Sequence, residues 1–250
     1  ETLGTFGSPQ GRTDGFIAKY DDNGNVLQIE QLGTSEDDVI EDIVIAEDSI
    51  YVVGSTKGRF PDVTNTDQNK QVWVAEYDNL DLTQNWVKQF SVNGDPFSEA
   101  AALTVTGDNI FLVGRSKNGG NNEDFDGWIG RLDRNAPTNP QNLDDLVIEE
   151  ISTPERDRAT DLTIDSDNNI YVSGTTAGEL EPEQQFGGND AWLAQYRFDD
   201  DETPPFTQNW LTQVGTSEDD EGKGVITLPE TDTDDNVVLA GETEAVVDFD

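Results

Sequence analysis

Short apolar segments recur along this chain at nearly constant spacing, separated by polar turns. Four of them end in a glycine, and these glycines, Gly54, Gly114, Gly174 and Gly241, lie 60, 60 and 67 positions apart. Segments of about five residues that are rich in β-branched and aromatic side chains predict strands, because a helix would need a longer run with a 3.6-residue period. The pattern therefore predicts a tandem repeat built from β-strands.

Each repeat contains four such segments. In chain order these are an apolar segment, the segment that ends in glycine, an aromatic segment and a fourth segment. Turn sequences such as 22–25 and 107–109 separate them, as hairpins require. We name the strands A to D, starting before the glycine segment. The predicted strands are A at 42–46, 101–106, 161–165 and 224–228, B at 50–54, 110–114, 170–174 and 237–241, C at 15–21, 72–78, 127–133 and 191–196, and D at 26–32, 85–90, 146–151 and 209–214.

Four-stranded units in tandem predict an all-β fold, a β-propeller of antiparallel blades with strand A innermost. The chain begins at C and ends at B, so we expect one domain over 1–250. Because pairing hides exposed strand edges, we predict that the terminal half-blades close the ring near Ile17 and Val238, whereas a piece of a larger propeller would leave them unpaired. The predicted units are a half-blade at 1–38, repeats at about 39–98, 99–157 and 158–222, and a half-blade at 223–250.

Several stretches resemble the bacterial seven-bladed β-propeller repeat family, also called SBBP. The similarity lies in 13–27, 33–38 and 50–56, and again in 165–176 (DSDNNIYVSGTT). It spans nearly the whole chain, although the second repeat lacks the acidic loop described below and the third keeps only Asp157 near it. The resemblance implies a secreted or surface-attached bacterial protein, with cyanobacterial proteins among the relatives, and no common enzymatic activity. The family name implies seven blades where this chain has four repeats.

The charge of the chain limits its partners. The 53 acidic and 14 basic residues give a formal charge of −39, which argues against nucleic acid and anionic membrane surfaces. No apolar run approaches the roughly 18 residues of a membrane span, so we expect no membrane insertion and a soluble chain. The chain has no Cys and no His, which excludes disulfides, thiolate metal sites and the usual general base. Since it also has no Met and opens on Glu1, we expect a mature or excised segment.

The hexapeptide GTSEDD occurs at 33–38 and again at 215–220. It is the predicted loop from strand D of one blade to strand A of the next, and strand alternation places it on the same face as the B to C connections. A rim of carboxylates there is a candidate cation site. The alternative, which we favour, is that Asp and Ser fix the loop by bonding to its backbone. The rim residues are Glu36, Asp37, Asp38, Glu218, Asp219 and Asp220.

Two A to B turns on the opposite face carry a DxDxN pattern, with oxygen side chains at alternate positions as in the first half of a calcium loop. Both lack the glycine at the sixth position and the glutamate at the twelfth that would make the match specific. Ordinary turns explain the pattern equally well. The candidate calcium ligands are Asp165, Asp167, Asn169, Asp232, Asp234 and Asn236.

Other features favour binding over catalysis. Tryptophans at equivalent strand positions indicate packing between blades, whereas a sugar site would favour tryptophans in loops. No serine occurs in a nucleophile elbow and no phosphate-binding glycine loop is present. The basic residues do not cluster by sequence into an anion site, and the long B to C connections at 57–70 and 177–190 offer variable recognition surface.

We therefore expect a non-catalytic binding or structural module, without a required cofactor, that calcium or other cations stabilise. Its expected partner is a protein or polysaccharide at the cell surface. The alternatives are a glycan-binding propeller and a carboxylate-dependent hydrolase or lyase.

Overall fold

A computed structural model describes residues 11–61, 63, 69–117, 124–135, 143, 146–182, 184–228 and 236–244. Within these ranges every regular element is a strand, and no helix is long and apolar enough to cross a membrane. The strands are β1 (Gly15–Tyr20), β2 (Val26–Leu32), β3 (Asp38–Ala46), β4 (Ser49–Thr56), β5 (Gln71–Asp78), β6 (Gln84–Phe90), β7 (Ser98–Thr106), β8 (Asn109–Ser116), β9 (Asp126–Asp133), β10 (Val147–Ile151), β11 (Asp157–Ile164), β12 (Ile170–Thr176), β13 (Asp190–Phe198), β14 (Phe206–Val214), β15 (Asp220–Thr227) and β16 (Val237–Thr243).

The strands form antiparallel sheets in sequence order. Sheet I contains β3 to β6, sheet II contains β7 to β10 and sheet III contains β11 to β14, and each has four strands. The N-terminal pair β1–β2 and the C-terminal pair β15–β16 form separate two-stranded sheets. The predicted all-β class, the four strands per repeat and their order within each sheet are confirmed.

The first strands of consecutive sheets, β3, β7, β11 and β15, lie next to one another, as expected if strand A is innermost. Direct hydrogen bonds join them: the backbone N–H of Leu103 donates to Asp42 at 3.0 Å, and that of Val225 donates to Asp161 at 2.8 Å. Each of these strands also contains a register shift at the same place. The shift leaves one residue of strand A unpaired, namely Glu41, Ala101, Thr160 and Lys223 in the four strands.

The repeated glycine makes room for the repeated tryptophan. Gly174 of strand B pairs with Trp192 of strand C, and a Cβ on Gly174 would lie 2.3 Å from Cζ2 of that indole. Gly54 and Gly114 stand in the same relation to Trp73 and Trp128. All three indoles are fully buried. The glycine segment is therefore a packing requirement of each sheet, since real Cβ contacts are never this short.

The predicted pairing of the terminal half-blades is not present in this structure. Among the described residues β1 pairs only with β2, and β16 pairs only with β15. Apolar side chains on both pairs stay in contact with solvent, including Phe16 at 53% exposure and Ile226 at 58%. The outer edges of β1 and β16 therefore pair with no further strand in the part of the chain that the structure describes.

Candidate functional site

The D to A loops and the B to C connections emerge on one face, as predicted, which we call the loop face. They are joined there by backbone hydrogen bonds between consecutive sheets. In each bond, the first residue of strand A donates its N–H to the carbonyl of a residue one or two positions before strand C of the preceding sheet. The four bonds run from Asp38 to Thr13 (2.8 Å), from Ser98 to Lys70 (2.8 Å), from Asp157 to Phe125 (2.6 Å) and from Asp220 to Asn189 (2.7 Å).

The last aspartate of each acidic loop fixes that loop from within. In GTSEDD at 33–38, the backbone N–H of Thr34 donates to Asp38 Oδ2 at 2.6 Å and its hydroxyl donates to the same oxygen at 3.0 Å. Thr216 makes the same two contacts with Asp220, at 2.5 and 3.0 Å. Both carboxylates are buried. These contacts support the interpretation that we favour, in which the hexapeptide is a structural loop.

The third repeat contains the same arrangement in a sequence that the GTSEDD pattern missed. The N–H and hydroxyl of Thr153 donate to Asp157 Oδ2 at 2.5 and 2.9 Å. The shared signal is a threonine four residues before the first residue of strand A, with a different sequence between them. In the second repeat Ser98 replaces the aspartate and accepts the N–H of Val92 at 3.0 Å.

The remaining rim residues have separate surroundings. Glu36 and Glu218 are exposed, Asp37 lies 3.6 Å from Lys57, and Asp219 accepts the backbone N–H of Asn189 at 2.8 Å. No group of three or more acidic side chains that could hold a metal ion occurs in the described part of the chain. A cation site at this rim stays a prediction.

The DxDxN turn at 165–169 uses its first carboxylate internally. Oδ1 of Asp165 accepts the backbone N–H groups of Asp167 and Asn169 at 2.9 and 2.8 Å. Oδ2 accepts the Asn169 amide at 2.8 Å and the Tyr171 hydroxyl at 3.0 Å. These contacts fix a hairpin turn, and calcium binding here stays a prediction.

The second predicted turn falls mostly outside the described residues. Asp232 and Asp234 lie in the part of the chain that is not described. Asn236 is described, and its carbonyl accepts the N–H of Leu228 at 2.8 Å. This bond joins the two ends of the connection between β15 and β16, and calcium binding by these residues stays a prediction.

A cavity of about 140 Å³ opens on the loop face where sheet II, sheet III and the C-terminal pair meet. The sequence does not reveal this cavity because Arg115 is far along the chain from Arg156 and Arg158. The structure brings them together, since the end of strand B and the start of strand A in neighbouring sheets are adjacent. The cavity is lined by Arg115, Phe125, Arg156, Asp157, Arg158, Thr175, Asn189 and Glu221.

Burial changes the acidity of the aspartate in this cavity. Desolvation raises the pKa of Asp157 from 3.8 to about 6, although hydrogen bonds from Thr176 and Thr153 lower it. Asp220 occupies the equivalent position beside the C-terminal pair, where burial also raises the pKa but hydrogen bonds from Thr243 and Thr216 outweigh it and leave it lowered. The pKa values of these equivalent aspartates thus differ because desolvation prevails at Asp157, whereas hydrogen bonds prevail at Asp220.

Comparison with known proteins supports the repeat. Residues 149–181 match the family model described as beta-propeller repeat, SBBP. The matched residues include the end of sheet II, the third acidic loop and the first two strands of sheet III. The predicted resemblance is confirmed for this repeat. The sequence matches none of the curated proteins with which it was compared.

Several solved structures match this chain at low sequence identity. A Bombyx mori GH32 beta-fructofuranosidase has a TM-score of 0.39 and 15% identity, over 76% of this chain and 40% of that one. A thermostable family-43 glycoside hydrolase has a TM-score of 0.44 and 11% identity, over 83% and 75%. Drosophila Plexin A in complex with Semaphorin 1b has a TM-score of 0.43 and 7% identity, over 94% and 62%. This chain therefore spans less than half of the fructofuranosidase.

The raised pKa of Asp157 predicts a pH effect on stability. Between about pH 4 and 6 the folded state keeps a proton that the unfolded state has lost, so the free energy of unfolding falls as pH rises through this interval. The fall is at most roughly 3 kcal/mol at 1.36 kcal/mol per pKa unit. Urea unfolding at the two ends of the interval measures it, and Asp157→Asn should show a smaller fall than the unmodified chain.

The exposed Asp22 provides the matched control. Asp22→Asn removes the same charge without changing the buried carboxylate, so it should keep the full pH dependence. Equal pH dependence in Asp157→Asn and the unmodified chain would show that the folded state does not hold this proton.

Proposed function

We propose that the chain is a non-catalytic binding module of a secreted or cell-surface bacterial protein and that it holds its ligand on the loop face. The observation that carries the proposal is the cavity built by three consecutive sheets, where backbone bonds fix the lining residues in place. Sites on a rigid scaffold bind without a large ordering cost. The resemblance to surface-attached bacterial repeats supports the location, which antibody labelling of intact cells tests.

The contacts of the cavity carboxylates favour binding over hydrolysis. A glycosidase needs two carboxyl groups free to face the scissile bond. Here Asp157 accepts two hydrogen bonds from Thr153, and Glu221 forms an ion pair with Arg158 at 2.7 Å. Both acids therefore already serve the structure, which leaves the arginines and Phe125 as the groups that a ligand would meet.

The tryptophans do not provide a sugar-stacking surface in the loops. Trp73, Trp128 and Trp192 are fully buried, while Trp86 and Trp210 lie on β6 and β14. The indole of Trp86 is also held by Glu76, to which it donates at 2.6 Å. A glycan ligand would therefore have to be recognised by polar side chains and phenylalanine.

Affinity electrophoresis tests the proposed function. The chain should migrate more slowly in a native gel that contains an acidic polysaccharide such as polygalacturonate than in a gel without polymer, with a neutral β-glucan as the comparison. The same mixtures should release neither reducing ends nor unsaturated products. Release of either product would contradict a non-catalytic role, and unchanged migration in every polymer would contradict polysaccharide binding.

We also propose that the two terminal pairs complete a fourth blade and close the ring. The C-terminal pair supplies strands A and B, and the N-terminal pair supplies C and D. The proposal is supported by their exposed apolar faces and by an open cavity of about 260 Å³ lined by Val214 and Leu239 beside the unpaired edge. In sheet I, Tyr51 pairs with Glu76, and the equivalent residues in a closing blade are Val238 and Lys19.

A disulfide tests this closure directly, because the chain has no native cysteine. Lys19→Cys combined with Val238→Cys should oxidise to an intramolecular disulfide in a monomer and raise the melting temperature, whereas each single variant should not. Disulfide-linked dimers would instead indicate edges that pair between copies. Absence of any disulfide under oxidising conditions would show that the ring does not close in this register.

Cations are proposed to stabilise the module by screening its charge of −39. Calcium and magnesium at matched ionic strength should raise the melting temperature of the chelator-treated chain equally, because the Asp165 and Asp38 carboxylates already accept hydrogen bonds from their own loops. Thermal unfolding measures the shifts, with sodium as the control. A shift specific to calcium would contradict general screening and identify a formed calcium site.

A further inference from the structure

Basic side chains concentrate around the loop-face cavity of a strongly acidic protein. Only 14 of the 250 residues are basic, yet three arginines line this one cavity. Three lysines lie in the same region because they share partners with them. These six residues are Lys70, Arg115, Lys117, Arg156, Arg158 and Lys223.

Two glutamates are shared among four of these cations. Glu99 forms ion pairs with Lys70 and with Arg115. Glu221 forms ion pairs with Arg158 and with Lys223, and Lys223 also reaches the exposed Glu242 at 3.5 Å. Each of these two carboxylates is therefore shared between two cations.

The arginines keep hydrogen-bond donors that no described residue accepts. A guanidinium has five N–H donors. Arg115 directs its Nε and one terminal nitrogen to a single oxygen of Glu99, at 2.7 and 2.6 Å, and Arg158 contacts Glu221 through one nitrogen at 2.7 Å. Arg156 is exposed, and its side chain has no partner within the ranges that the structure covers. Donors for an oxyanion are therefore present.

An aromatic wall holds one of these arginines in place. The Arg115 guanidinium lies over the Phe125 ring, 4.7 Å from its centre, and Phe97 packs edge-on against that ring at 5.3 Å. Stacking on a ring fixes the plane of a guanidinium and reduces the entropy lost on binding. Arg115 is thus preorganised, and the half-buried Phe125 offers an apolar surface beside it.

The wall of the cavity also contains a buried hydroxyl without a partner. Thr175 is 5% exposed, and its Oγ1 has no hydrogen-bond partner in the described part of the protein. Buried polar groups in native proteins are nearly always hydrogen-bonded. Thr175 lines the cavity, and its Oγ1 is buried behind the cavity surface, so an oxygen of a bound ligand would reach it only after a local shift of this wall. This feature is independent of the charge argument and points to the same place.

We propose that this cavity binds the carboxylate of a small acidic ligand, such as the terminal uronic acid of a polysaccharide, between Arg115, Arg156 and Arg158. The proposal rests on the proposed binding function and names its ligand class. Planar carboxylates match the donor geometry of arginine. A monoanion suits this site better than a phosphate dianion, since Asp157 and Glu221 line the same cavity and repel a second charge more strongly.

Arginine side-chain NMR tests the proposal with sodium D-glucuronate as the probe. The Nε–H signals of the three cavity arginines should shift on titration, while neutral D-glucose should leave them unchanged. Arg156→Gln should weaken glucuronate binding about tenfold or more, because a hydrogen bond to a charged group is lost. The matched control is Arg197→Gln, which removes an exposed arginine from the far end of β13 and should bind as the unmodified chain does.

The outcomes separate this proposal from the binding function itself. Arg156 has no ion pair among the described residues, so Arg156→Gln should keep the native melting temperature. Equal affinity in the two variants, an equal response to glucose, or tighter binding of inorganic phosphate would each overturn the carboxylate assignment. Retardation by polygalacturonate without any shift by glucuronate would overturn it while leaving the binding function intact. Shifts by glucuronate without retardation would support the cavity as a site for a free acidic sugar.

Discussion

At each described junction between consecutive sheets, a backbone hydrogen bond joins the first residue of strand A to a residue one or two positions before strand C of the preceding sheet. A four-stranded sheet cannot bury both of its faces alone, so stability requires neighbours at a fixed distance. The bond recurs at all four described junctions. The buried aspartates, the acidic loops and the arginine cavity all lie beside it, because the junction sets which residues of consecutive sheets meet.

Charge is distributed very unevenly about these junctions. The overall charge of −39 repels anions at long range, but screening limits that repulsion to about 8 to 10 Å at physiological ionic strength. Within the cavity the three lining arginines outnumber the two lining carboxylates, Asp157 and Glu221. Such an arrangement favours specific contact over non-specific adsorption of anions, because an anion gains energy only once it reaches the cavity.

The repeat and its strands could be predicted because they depend on local patterns. The spacing of Gly54 and its equivalents, together with the aromatic strand that follows, indicated four strands per unit, and the Gly174–Trp192 contact shows the physical reason for that pattern. The cavity could not be predicted. Arg115 and Arg156 are far apart in sequence, and only the packing of sheet II on sheet III brings them together.

Ring closure was predicted but is not present in this structure, and the third acidic loop was overlooked. Alternating apolar residues specify pairing within a sheet, but they do not specify which free edges meet, so the pairing of β1 with β16 stays a proposal. In the third repeat the residues between Thr153 and Asp157 differ from GTSEDD. Only the threonine and the aspartate make the contacts that fix the loop, so a search for the intact hexapeptide overlooks a loop that works in the same way.

The register shift in each innermost strand gives each repeat one position that carries a different side chain. Glutamate, alanine, threonine and lysine occupy the four equivalent places, and the strands pair in the same way around each of them. The same pairing is therefore compatible with an acid, a methyl group, a hydroxyl and a base. Repeats that diverge at this position keep their strand pairing, so the side chain there can make a separate contact in each repeat, as Thr160 does when its hydroxyl donates to the carbonyl of Gly222 at 2.9 Å.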